Sequence, residues 1–304
     1  RMGKGTADRI IDFRGIYPKG VKPYGPDLRA KPNPETPPIT ANIKPIEVKT
    51  WRDVQNVNFI EYWFQQAHPD IDVINFNSDN ISLEDAKQLL GAVDDMVAKY
   101  PVLQGNIKSI VLGYGPDDEY ARTIREFNGK STIKFNLNWT KDHDHFYERV
   151  ADNVATGFRP PGTDANPYYD MMVHGLGHAL DNVGDQRARD AVPKTLLHQY
   201  LSEFPLTDQE KLPWDIEDLK DNEILGAIAS GREKYNIYDW EIDASPSKYA
   251  LPDEFSDINN AEALAEAFLD VERNGKEAKP LSKALYDLLI EESKKDVGPR
   301  QLSD

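Results

Sequence analysis

The spacing of apolar residues changes period several times along this chain, and each change marks an element. Thr50 followed by Asp53 has the form of a capping box and predicts a helix running through FIEYWFQQA to about Ala67. IDVINFN (71–77) is β-branched, aromatic and short, which predicts a strand. Ser82 with Asp85 caps a long amphipathic helix, LEDAKQLLGAVDDMVAKY, which Pro101 ends. NIKSIVLGY (106–114) and STIKFNLNW (131–139) predict two more strands, the second alternating cleanly. Helical spacing returns at about 144–156 and again from Tyr168 to Val183, on either side of the loop GFRPPGTDANP. From Ala191 the chain reads as mostly helical, with helices at 260–273 and 281–294. The order α-β-α-β-β followed by helices predicts an α+β fold with one small mixed sheet and a helical C-terminal half.

Residues 17–45 do not fit this pattern. They are rich in proline and predict an extended arm, partly polyproline II, so the domain organisation reads as an arm over 1–47 and a globular domain over 48–304. Within that domain, 48–185 forms an α/β half and 186–304 a helical half. The opening Arg1-Met2 reads as a piece of a longer polypeptide or larger assembly.

Composition narrows the chemistry. A formal net charge of −16 argues against a nucleic-acid surface, which needs a basic patch. No apolar run is long enough to span a bilayer, so a soluble protein is expected. With no cysteine among the 304 residues, disulfides and thiolate metal sites are excluded, and any transition-metal site must use histidine and carboxylate. There are only six histidines. His68 and His198 read as structural, and His143 and His145 as caps of the following helix. Trp51, Trp63, Trp139, Trp214 and Trp240 read as core.

His174 and His178 stand apart from the rest. They are four residues apart in MMVHGLGHALD and share one helical face with Asp170, Asp181 and Asp185, opposite a stripe of Tyr169, Met172, Val173, Leu176, Leu180 and Val183. Two imidazoles one turn apart are half of a tetrahedral metal site. Gly175 and Gly177 each cost a helix interior about 1 kcal/mol relative to alanine, and such residues mark close backbone approach. Downstream, NNAEALAEAFLD (259–270) is apolar or small except for Glu262 and Glu266, which share a face. Carboxylates there are expensive to bury unless paired or metal-bound. Glu262 is the candidate third ligand, and Glu266 a candidate partner for the other ring nitrogen of a ligating histidine. Asp170 and Asp181, one turn outside the pair, are candidates for orienting a histidine.

HGLGHALD resembles the HExGHxxD signature of zincin metallopeptidases, with Gly175 in place of the motif glutamate. EALAEAF resembles the glutamate helix of the anthrax lethal-factor-like zincins, which is paired with that signature in zincin-like domains of phage head-associated proteins; the PPGTD loop (160–164) is similar to theirs. The resemblance implies a zincin-like fold with Zn2+ held by His174, His178 and Glu262. It also implies a peptide or protein substrate, a tyrosine (here Tyr249) assisting the transition state, and a phage virion or bacterial cytoplasm as the setting. The strand before the active-site helix, with Lys134, Asn136 and Asn138, is expected to hold the peptide by β-addition.

In a complete site of that kind, the metal polarises the scissile carbonyl and acidifies water, and the glutamate moves the proton. Gly175 leaves the ligands and removes the base. Three accounts stand side by side: an introduced inactivation, a natural metal-binding pseudoenzyme or structural module, or a substitute carboxylate at Asp181 or Asp170.

Overall fold

The computed structural model describes residues 49–203, 244–250 and 259–295. The proline-rich arm, Trp214 and Trp240 lie outside the described residues. The fold is mixed α+β, as the pattern predicts, with one open four-stranded sheet and a helical C-terminal half.

Thr50 and Asp53 do form a capping box, but on a single 3-10 turn, Trp51–Asp53. The helix expected to start there begins later, as α1 (Ile60–Ala67). β1 (Asp72–Ile74) is shorter than its apolar run. α2 (Leu83–Lys99) starts as expected, the Ser82 side chain accepting from Asp85 N at 3.1 Å. β2 (Ile107–Gly113) follows it. The sequence reading missed β3 (Ala121–Arg125), although its signal was present: Asn128-Gly129 is a hairpin turn dipeptide. Gly129 has φ 78°, a left-handed conformation that glycine adopts without a Cβ penalty. β4 (Ser131–Asn136) ends three residues before its predicted limit, because Asn136 accepts from Asn138 N and opens the short helix α3 (Leu137–Thr140).

The sheet order is β1-β2-β4-β3. β1, β2 and β4 run parallel, and β3 is antiparallel to β4 at the edge. Among the described residues, β4 is therefore paired on both sides and β3 on one only.

α4 (His143–Ala155) is capped by Asp142 rather than by the histidines. His143 Nδ1 instead lies 2.9 Å from the buried Asp85, and His145 stacks on Trp139. α5 (Pro167–Val183) has proline at its first position, where a missing N–H costs nothing, and Gly184 just beyond its end. It packs against α2, β3 and the two late helices, and is buried along nearly its whole length. The face carrying Asp170, His174 and Asp181 is thus interior as well, a correction to the simple core-face and polar-face reading. α6 is Arg187–Glu203. Asn259 caps α7 (Asn260–Asn274) by accepting from Glu262 N, and α8 is Pro280–Lys294.

One apolar core joins the sheet to these helices, through Phe64, Leu89, Ile110, Phe135, Leu176, Phe268 and Leu285 among others. Trp51 is buried, and Trp63 and Trp139 pack against this core. Among the described residues no helix is long and apolar enough to cross a membrane.

Candidate metal centre

α5 and α7 are pressed together by Gly177. A Cβ at that position would stand 3.0 Å from Ala265 Cα and 3.2 Å from Phe268 Cβ, tighter than nearly all real side-chain contacts. A residue without a side chain lets the helices approach this far without displacing a neighbour. The approach brings the first turn of α7 over the middle of α5.

Three side chains meet there. His174 and His178 face each other with their Nε2 atoms 3.1 Å apart. Glu262 Oε2 lies 3.2 Å from His174 Nε2 and 3.4 Å from His178 Nε2. Ligands held tetrahedrally at roughly 2.0–2.2 Å from one ion stand roughly 3.3–3.6 Å from each other. The triangle is close to that size, so His174, His178 and Glu262 can hold a metal ion without rearrangement of the backbone.

The surroundings favour positive charge at this point. Glu266 is fully buried, with Oε1 2.8 Å from His174 Nδ1. The contact is off the line of a hydrogen bond, and His174 Nδ1, both Glu266 oxygens and Glu262 Oε2 have no hydrogen-bond partner among the described residues. Buried acceptors without donors are costly, and a cation at the centre of the triangle satisfies Glu262 directly. Burial acts to lower the His174 pKa, but Glu262 and Glu266 outweigh it and push it up to about 9. Burial acts to raise the Glu262 carboxyl, but His174 and His178 outweigh it and hold it well below the usual carboxylate range. Glu266 is likewise held down, against its burial, by His174.

The site opens into a cleft of about 1030 Å³ bordered by β3, α4, α5 and α7. Tyr249 lines it, its ring centroid 6.1 Å from that of His174, although thirteen positions separate it from Glu262 in sequence. Burial, with Glu262 adding, pushes its hydroxyl up to about 12. Gly175 also faces the cleft. A Cβ there would lie 3.2 Å from Ile133 Cγ2 and 3.4 Å from Thr123 Oγ1, and Thr123 Oγ1 donates to Gly175 O.

Other expected residues lie elsewhere. Asp170 is bound by Arg273 and Asp181 by Arg189, so each anchors a neighbouring element rather than a ligand histidine. Lys134, Asn136 and Asn138 do not line the cleft. Lys134 donates to Tyr114 O, Asn136 to Pro116 O and Glu119 O, and Asn138 to Asp117, so all three hold the loop between β2 and β3. The physical reason is the pairing of β4 on both edges, which leaves its backbone no group to offer a peptide. The strand facing the cleft is β3, through Ala121, Thr123 and Arg125. No family profile, curated protein or solved structure matches the chain.

Proposed function

We propose that this chain is a zinc-binding domain of the zincin metallopeptidase type, with a peptide-binding cleft and hydrolysis impaired at Gly175. The observation that carries the reading is the triangle of His174 Nε2, His178 Nε2 and Glu262 Oε2, with edges of 3.1–3.4 Å. Two imidazoles and one carboxylate, with a carboxylate behind one imidazole, make a donor set suited to zinc in a catalytic type of site.

Zinc, when bound, supplies a Lewis acid beside the cleft. The protein's own groups supply the rest. Among the described residues, the outer edge of β3 has no strand partner, so its backbone groups can add a peptide as a further strand. Tyr249 keeps its proton across the neutral range and can donate to an oxygen of the bound peptide. Glu266 holds His174 with Nε2 turned towards the centre. Asp170 and Asp181, the substitute bases suggested by the sequence, are engaged by Arg273 and Arg189, which argues against either one replacing the motif glutamate. General-base loss is worth roughly 10²–10⁴ in rate.

Gly175 favours a second reading on the same scaffold, a metal-holding module that binds without cutting, such as a phage virion component. Two measurements separate them. Elemental analysis of the purified chain is expected to show one zinc per protein, lost in the His174→Ala, His178→Ala double variant; a native chain without zinc sinks both readings. Incubation with a peptide library is expected to show turnover for Gly175→Glu far above that of the native chain. If Gly175→Glu binds zinc and cuts nothing, the non-catalytic reading stands.

A further inference from the structure

The cleft holds a second chemically distinct group. Arg159 leaves the end of α4, its backbone N–H donating to Asn153 O at 3.1 Å, and Pro160-Pro161 follows it. Its side chain turns inward to line the cleft with His174, Tyr249 and Glu262. The residue is only 5% exposed. The guanidinium makes a contact of 3.1 Å from Nη2 to Met171 Sδ, a weak acceptor, and lies 6.0 Å from the Tyr120 ring centroid. Its Nε has no hydrogen-bond partner, and it forms no ion pair among the described residues.

Three other arginines of this wall show what an engaged one looks like. Arg122 is forked onto Glu119, Arg125 pairs with Asp185, and Arg189 pairs with Asp181. Arg159 is more deeply buried than these three and, unlike them, has no carboxylate partner among the described residues. A buried guanidinium without one is costly. Glu266 and Asp170 feel its charge through space, which offsets part of that cost but leaves Nε without a hydrogen-bond partner among the described residues.

We propose that Arg159 is a carboxylate-recognition residue of the cleft, receiving either an acidic side chain or the C-terminal carboxylate of a peptide lying along β3. A planar fork of donors matches a carboxylate in two parallel bonds, and charge-assisted pairs of that kind are the strong ones. Although the chain as a whole carries −16, Arg149 on α4, also without an ion pair among the described residues, adds local positive charge to the same wall. The inference rests on the cleft being a peptide cleft, and it does not require the metal.

The test is binding. Acetylated, fluorescein-tagged hexapeptide mixtures are made with glutamate or glutamine at one position at a time and uncharged residues elsewhere, each ending in a free acid or an amide. Anisotropy titration of the full chain is expected to show at least about tenfold tighter binding for the acid at one position, or for the free C-terminus, equivalent to about 1.4 kcal/mol. The two sets tell a side-chain carboxylate from a terminal one. Arg159→Gln is expected to bring the ratio close to one. Arg159→Lys, which keeps the cation and loses the fork, is expected to lower it part of the way, and decides the matter if the glutamine variant does not fold. An absence of acid preference at every position and terminus overturns the inference, as does a preference unchanged in the folded variants. Zinc content is measured on the same samples. An Arg159-dependent preference in a chain that holds no zinc removes the metal reading and leaves this one standing.

Discussion

Gly177 and Ala265 meet so closely that a methyl group fits between their helices only if one of them gives way, a Cβ on the glycine standing 3.0 Å from the Ala265 Cα. That contact sets the distance between α5 and α7, and the distance sets whether Glu262 reaches the two histidines. Gly177→Ala should therefore act on the metal as well as on stability. Overpacking costs typically 1–3 kcal/mol, and the gain in helix propensity returns about 1 kcal/mol of it. The expected outcome is a modest loss of stability with a drop of at least about tenfold in zinc affinity, read by competition against a chelator. Unchanged affinity would show that the site tolerates separation of the helices.

Glu266 is the carboxylate behind His174, fully buried and 2.8 Å from Nδ1. Partners of this kind typically carry 10–100-fold of metal affinity. Glu266→Gln keeps the volume and removes the charge, so zinc binding should weaken by roughly that factor while the folded circular dichroism spectrum is kept. Glu266→Gln with native affinity would reduce Glu266 to a packing residue.

Bound metal should also stabilise the fold, because its ligands come from two helices that separate on unfolding. At free zinc 100-fold above Kd, mass action adds about 2.7 kcal/mol. In a domain of this size that raises Tm by roughly 5–10 °C relative to chelator-treated protein. The His174→Ala, His178→Ala variant should show no such difference in a thermal scan.

Asp170 supplies a pH dependence with a definite sign. Burial, opposed by Arg273 and Arg159, pushes its carboxyl up from 3.8 to about 6. The folded value lies above the unfolded one, so its contribution to stability is fully present below about pH 4 and lost as the pH rises through about 6. Urea denaturation of the native chain and Asp170→Asn at pH 4 and pH 7 should show the native chain gaining on the variant at the lower pH, by on the order of 2 kcal/mol. The opposite trend would mean that Arg273 holds the carboxylate ionised.

Local chemistry was enough to pick out the three side chains that could hold a metal ion. HGLGHALD and NNAEALAEAF carry their meaning in spacing: an i, i+4 pair falls on one helical face whatever the helix packs against, and a carboxylate in an apolar helix demands a partner wherever that helix lies. For the same reason α2, α5, α7 and α8 appear close to their predicted limits, since caps and periodicity are properties of neighbouring residues.

What tertiary structure decided is how these pieces meet. No spacing could show that β4 is enclosed and β3 exposed, because strand order depends on pairings between distant segments; Lys134, Asn136 and Asn138 were misplaced for that reason. Nor could it show that Asp170 and Asp181 are claimed by Arg273 and Arg189, or that Tyr249 folds back to within 6.1 Å of the His174 ring. Arg159, one arginine among many in the sequence, differs by being buried without an ion pair among the described residues, and burial is created by the packing of the whole chain.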